Sequence, residues 1–275
     1  MRNRKSIQVI AVTSGKGGAG KTTVATNLAA NLSRQGKSVM LLDADLGLAN
    51  VDVVLGLQSR SNLSHVLDGQ CHLADIVING PEGIRVVPAS SGLQRMAQLS
   101  AGEHAGLINS FSELPYPIDT LIIDSAAGIN NTVTHFCQAA GEVLVVLCDE
   151  PASLADSYAL IKVLNQHYGV KRFQMLANRV PSQEQGFELY KRLLKATDQF
   201  LNVNINYIGT IPEDDYLQRA IRMQRLVTSA YPQSVSAQAF ARVADRVTKL
   251  KSEDELGGAI SFFPEQKVQR QTSHA

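Results

Sequence analysis

The sequence is poor in the features that mark several protein classes. Its three cysteines, Cys71, Cys137 and Cys148, are scattered over 275 residues. They form no C-x-x-C pair and no Cys/His spacing of the kind that holds zinc or an iron–sulfur cluster, which argues against a disulfide framework or a thiolate metal centre. Long apolar runs are also missing. The longest, Val143 to Cys148, falls far short of the roughly twenty residues that cross a bilayer. The basic start, Arg2, Arg4 and Lys5, leads into the short stretch Ile7 to Val12 and then a glycine loop, unlike a secretory leader. A cytoplasmic protein is therefore expected. No internal repeat, low-complexity block or Pro/Gly/Ser-rich linker interrupts residues 6–250, so residues 1–251 are expected to form one domain and 252–275 a tail.

Hydrophobic residues make up 44% and charged ones 19%, the composition of an ordinary globular chain. The formal net charge of +1 hides an asymmetry. Residues 1–50 carry seven basic and two acidic side chains, residues 51–170 four and twelve, and residues 171–275 fifteen and eleven.

Short apolar, β-branched runs recur at Ile7–Val12, Ser38–Leu42, Ile84–Val87, Thr120–Ile123, Val143–Leu147, Phe173–Ala177 and Tyr207–Ile211. Each reads as a buried strand. Between them, Thr22–Gln35, Ala152–His167 and Glu184–Phe200 repeat apolar residues at i, i+3 and i+4, the period of an amphipathic helix. Alternation of this kind predicts an α/β fold, a doubly wound and mostly parallel sheet of about seven or eight strands flanked by helices.

The first predicted strand ends in Gly15, Lys16, Gly17, Gly18, Ala19, Gly20, Lys21, Thr22 and Thr23, satisfying G-x-x-x-x-G-K-T between a strand and a helix. Glycines let consecutive backbone N–H groups turn inward around an anion, and the helix N-terminus adds its positive dipole end. Lys21 offers a point charge to the β and γ phosphates, and the Thr22 hydroxyl suits Mg²⁺. Lys16 is a second loop cation that the basic pattern does not require.

Leu41 to Asp45 places Asp43 and Asp45 at the C-terminal end of a strand, where ligands bind in open α/β sheets. One could reach a metal-bound water and the other could orient an attacking water. Thr120 to Asp124 is an apolar strand ending in a carboxylate, the Walker B arrangement, in which Asp124 holds Mg²⁺ through water. Small residues follow it, making a loop able to respond to the γ phosphate. Asn178 with Arg179, after one strand, and Pro212, Glu213 and Asp214, after another, could embrace a purine.

Together these residues resemble the deviant Walker A ATPases of the MinD/ParA family, whose signature K-G-G-x-G-K-T is met from Lys16 to Thr22. The resemblance extends over nearly the whole chain except the tail. Within the family, Leu42–Gly56 and Cys148–Lys162 look most like the flagellar-number regulators of the FleN/FlhG type, with cell-division MinD the nearer rival. Ala19 and Ser125 stand where valine and threonine are commoner. The resemblance implies a SIMIBI-type P-loop fold, slow regulatory ATP hydrolysis and an ATP-bound homodimer. It implies that Lys16 crosses to the phosphates of a facing subunit, that Asp45 positions the hydrolytic water, that Thr22, Asp43 and Asp124 serve the metal, and that Glu150 lies near the dimer seam.

The resemblance implies a partner too, a flagellar enhancer-binding AAA+ transcription activator, restrained by the dimer so that flagellar number is limited. Only six residues precede the first strand, so the Asp-Gln-Ala-containing segment by which some relatives activate a flagellar GTPase is not expected. The alternative is a spatial positioner acting on membrane or DNA. For the membrane, Ile260, Phe262 and Phe263 offer an apolar side and Lys267 and Arg270 a basic one, against which stand Gly257, Gly258 and Pro264; the competing expectation is a tail that folds back onto the domain. For DNA, Arg219, Arg222, Arg225, Arg242, Arg246, Lys249 and Lys251 make a basic helical region, without the aromatic interleaving that would favour specific binding.

Overall fold

The computed structural model describes residues 7–46, 50–89, 99–250 and 261–263. Strands β1 (Gln8–Ser14), β2 (Val39–Ala44), β3 (Ile78–Asn79), β4 (Arg85–Val87), β5 (Thr120–Ala127), β6 (Glu142–Leu147), β7 (Arg172–Val180) and β8 (Asn204–Pro212) form one sheet in the order β3-β4-β2-β5-β1-β6-β7-β8. Only the two-residue β3 runs antiparallel to its neighbour. All seven strands read from the sequence are present, six of them reaching one to four residues beyond the expected runs and β4 one residue shorter. β3 is too short to carry a period-two pattern.

Helices cover both faces, and alternate residues of each strand divide between them. Val9 and Ala11 of β1, Met40 and Leu42 of β2 and Leu121 and Ile123 of β5 enter one core. Helices α5 (Ala101–Ser110), α6 (Asn131–Ala139), α7 (Pro151–Tyr168) and α8 (Gln183–Asp198) pack on it with residues such as Leu107, Phe136, Leu160 and Leu189. Ile10 and Val12, Val39 and Leu41, and Ile122 enter the other. There α1 (Lys21–Arg34), α2 (Val51–Leu55), α9 (Asp215–Arg222), α10 (Val227–Ala230) and α11 (Val235–Val247) supply Leu28, Val51, Leu217, Val227 and Phe240. Burial on both sides is why the strands read as unbroken apolar runs. The short helices α3 (Leu63–Leu67) and α4 (Leu73–Ile76) lead from α2 to β3.

One sequence reading changes here. Phe262 and Phe263, offered above as the apolar side of a membrane-binding tail, are buried in the first core. The Phe262 ring meets Phe111 edge-on with centroids 5.3 Å apart and stacks over Phe136 at 6.3 Å. In this packing their apolar surface is spent inside the protein, as the fold-back expectation had it. Ile260, Lys267 and Arg270 lie outside the described residues. The basic region spans two helices: Arg219 and Arg222 belong to α9, while Arg242 and Arg246 lie on α11 beside a cavity of about 390 Å³ at the edge strand β8. The Arg246 guanidinium donates to the Ile208 carbonyl at 2.9 Å, occupying one acceptor of that edge.

Phe262→Ala should lower unfolding stability by about 3 kcal/mol, the usual cost of truncating a buried phenylalanine, read as a shifted urea midpoint with unchanged slope. Phe262→Leu should cost less, because most of the apolar volume is kept.

Candidate functional site

The loop between β1 and α1 is fixed by contacts that leave little choice of residue. A Cβ on Gly15 would lie 2.1 Å from the Asp156 backbone carbon, so the loop's first residue abuts the backbone of α7 and any side chain would separate them. Gly20, at φ +88°, caps α1 in the left-handed region, and a Cβ there would fall 2.4 Å from Asn178 Nδ2. No side chain caps α1 and its first turn holds no acid. Its leading N–H groups are therefore available to an anion.

Lys21 is buried between carboxylates. Burial lowers its pKa, and the nearby charges of Asp124 and Asp45 oppose that shift. Asp43 and Asp124 are paired residues on the adjacent strands β2 and β5, which sets their carboxyls side by side. Both are 1% exposed. Burial raises both above the ordinary carboxylate range; Asp43's charge raises Asp124 further, while the Thr22 hydroxyl and Lys21 pull Asp124 back. Asp124 Oδ1 is buried without a hydrogen-bond partner. An orphaned carboxylate oxygen beside a threonine hydroxyl, in a site crowded with negative charge, fits a divalent cation held by one protein hydroxyl, by water and by phosphate oxygens. Among the described residues no cluster of three or more His, Cys, Asp or Glu side chains could ligate a metal alone, and Mg²⁺ bound through a nucleotide needs none.

Asp43 departs from the part sketched for it. Its Oδ1 accepts from the Asp45 N–H at 3.1 Å, and its Oδ2 from the N–H groups of Asn50 at 2.9 Å and Val51 at 3.0 Å. Asp43 thus ties the backbone entering α2 to the floor of the site, and any metal role would draw on a carboxylate already engaged. Asp45 is half-buried above it, close enough for its charge to act on Lys21, Asp43 and Asp124.

The proposed base contacts divide. Asn178 Nδ2 donates to the Ala19 carbonyl at 2.7 Å, while its buried Oδ1 has no partner. That free acceptor suits the exocyclic amine of a purine. Arg179 donates to the Gly18 carbonyl at 3.2 Å from a backbone at φ +55°, a strained conformation for arginine. Pro212 ends β8 and Glu213 is exposed. Asp214 turns away: it caps α9 through the Tyr216 N–H at 2.8 Å and accepts from the Ser236 hydroxyl at 2.6 Å. Lys16 reaches Glu150, with Nζ 2.6 Å from Oε2, and both side chains remain nearly half exposed. Lys16 and Glu150 are distant in sequence but share the mouth of the loop, and Gly17, Gly18 and Thr23 complete its rim.

Sequence reasoning missed the back of the loop. The Cys148 thiol lies 3.6 Å from the Ala19 carbonyl, and the Cys148 N–H donates to Ser153 Oγ at 3.1 Å, clamping the end of β6 to α7 under the loop. Its one signal was position: Cys148 directly follows the apolar run next to the loop-bearing strand.

A glycine loop wrapped on a helix N-terminus, a buried lysine between strand-end carboxylates and an unsatisfied amide oxygen define a P-loop nucleotide-binding protein. The CbiA family, described as the CobQ/CobB/MinD/ParA nucleotide binding domain, matches residues 10–227, and this chain belongs to that MinD/ParA-type family of ATPases, in the branch of the flagellar regulators. It is 49% identical over 269 residues to the antiactivator FleN of Pseudomonas aeruginosa, covering 98% of this chain and 96% of that one. It is 30% identical to the flagellum site-determining protein YlxH of Helicobacter pylori, over 95% and 90% of the two chains. Among solved structures, the septum site-determining protein MinD of Pyrococcus horikoshii, complexed with Mg-ADP, superposes with a TM-score of 0.75 at 25% identity, covering 89% of this chain and 97% of that one. Family membership carries nucleotide and Mg²⁺ binding with it.

The two raised carboxylates make a testable pH signature. A carboxyl whose folded pKa exceeds its unfolded value supports folding while it is protonated, and that support is lost as pH rises through the folded pKa. Both shifts are upward, so nucleotide-free protein should melt at a lower temperature near pH 8 than near pH 6. Asp124→Asn, which removes one of the two charges, should flatten that slope in scanning calorimetry.

Proposed function

We propose that this chain is an ATP-dependent dimerising switch that restrains a flagellar master transcription activator and is reset by slow hydrolysis. The observation that carries the reading is Lys16. It stands in the loop with its side chain nearly half exposed, paired with Glu150 in an exposed ion pair that contributes little in water, and is available to phosphates presented by a second subunit. Similarity to an antiactivator over almost the full length of both chains supports the regulatory role.

In this reading Lys21 and the N–H groups of Gly17 to Thr23 hold the phosphates of ATP. Thr22 and Asp124 hold Mg²⁺, whose chemistry is to neutralise charge on the transferring phosphoryl group. Asp45 orients the attacking water, and Asn178 Oδ1 receives the base. Ordering of the segments after Asp43 and Asp124 in the ATP state closes two subunits face to face, and hydrolysis dissolves that state. The site acts in the cytoplasm. No described helix is long and apolar enough to cross a membrane, and the interior packing of Phe262 and Phe263 gives a membrane positioner no support.

With ATP and Mg²⁺, wild type should sediment as a dimer and Lys16→Ala as a nucleotide-binding monomer; an unchanged profile for the variant would remove Lys16 from the subunit bridge. Asp45→Ala should keep the ATP dimer and slow phosphate release at least tenfold, and Lys21→Gln should weaken both. The regulatory half is tested by adding the dimer to the purified activator and following the activator's own ATPase, which should fall.

A further inference from the structure

The nucleotide site has a mechanical connection to one outer surface. Asp43, beside Asp124 on the floor of the site, holds the N–H groups of Asn50 and Val51, the residues that open α2. Val51 and Leu55 bury the inner side of that helix in the second core, where Leu217 and Ala220 of α9 and Leu226 and Val227 also pack. The far end of α2 abuts the turn after α9: a Cβ on Gly56 would lie 3.6 Å from Gln224 Cβ. What moves Asp43 therefore moves α2 against α9.

The outside of this pair is apolar with a basic surround. Val53 is 55% exposed, Met223 47% and Tyr216 48%. These three side chains belong to the two elements that meet where Gly56 abuts Gln224, and large exposed apolar side chains on neighbouring elements mark a candidate contact surface. Arg219 and Arg222 of α9 and Arg225 in the turn after it are all exposed, with Asp52 and Asp215 the acids on the same two helices. Arg219 lies over the Tyr216 ring at 5.6 Å, and Tyr216 packs on Tyr231 with centroids 4.9 Å apart. Tyr216 is thus already engaged by a cation and a tilted ring. Val53 and Met223 have no use against a phosphate backbone, which asks for cations alone. Leu217 and Ala220 turn the continuous apolar side of α9 to the core, and its exposed side is interrupted by arginines, unlike a helix that lies in a lipid surface.

From this we propose that the α2–α9 surface is the docking face for the restrained protein partner, and that it fits an acidic patch with an apolar centre on that partner. The proposal rests on the switch reading above and names its output face. Val53 and Met223 supply the desolvated centre, and Arg222 and Arg225 the charged rim that steers encounter and sets salt dependence. Asp43 delivers the nucleotide state to that face by fixing where α2 begins.

The test measures binding of the purified flagellar enhancer-binding activator to full-length chain by interferometry, with ATP and Mg²⁺ or with no nucleotide. Wild type should bind only with ATP, Val53→Asp should bind at least tenfold more weakly, and Arg222→Glu with Arg225→Glu should bind at least tenfold more weakly with a shallower salt dependence. Both variants should keep ATPase activity and the ATP dimer, since these exposed side chains touch neither the nucleotide site nor the core. If wild type fails to bind, the switch reading and the docking face fall together. Wild-type affinity in both variants would overturn the docking face alone. Loss of the ATP dimer along with binding would also overturn it, by assigning the patch to the contact between copies of this chain.

Discussion

The parallel register of β2 on β5 is the constraint on which the site depends. It pairs Asp43 with Asp124, two carboxyls buried to 1% in the middle of the sheet's C-terminal edge. Burying such a pair is costly, and the surrounding structure is arranged to offset the cost. Three backbone N–H groups converge on Asp43, and the Thr22 hydroxyl and the Lys21 charge converge on Asp124. The start of α1, the entry to α2 and the two strands are consequently one electrostatic unit. Among the described residues, Asp124 Oδ1 is a buried carboxylate oxygen of this unit left without a hydrogen-bond partner, and a divalent cation would supply the positive charge that it lacks.

The phosphate loop is held by steric contact where the carboxylates are held by charge. Gly15 lies against the α7 backbone, Asn178 and Cys148 converge on the Ala19 carbonyl, and Arg179 reaches Gly18. The Gly18 and Ala19 carbonyls are drawn toward the ends of β6 and β7, which leaves N–H groups to the interior of the loop. Preorganisation of this kind lets an anion bind without ordering the backbone first. The same contacts join the site to α7 on one side, as Asp43 joins it to α2 on the other, and a two-state response at the phosphates therefore has two rigid elements through which to act.

The parts of the site legible in sequence were those that depend on neighbours along the chain. The loop from Gly15 to Thr23, the carboxylates ending apolar runs and the three long helices all follow from spacing within about twenty residues. Less legible were elements whose order comes from packing: the two-residue β3, the four- and five-residue helices, and the burial of Phe262 between Phe111 and Phe136. A pair of phenylalanines in a polar tail has the same local signature whether it meets lipid or a protein groove. The basic region was legible as helical, but not that its cations divide between α9 and α11.

By itself the sequence determined the class of fold, the phosphate loop and the chemical types that serve it, because short-range periodicity and turn chemistry are properties of adjacent residues. Only the tertiary structure decided how those residues are used. Asp43 faces backbone N–H groups, Asp214 caps a helix, Asn178 gives its amide N–H to the loop and leaves its Oδ1 without a partner, and Lys16 rests on Glu150. Each outcome depends on groups brought together from different strands, and no pattern along the chain records which buried donor will stand opposite which acceptor.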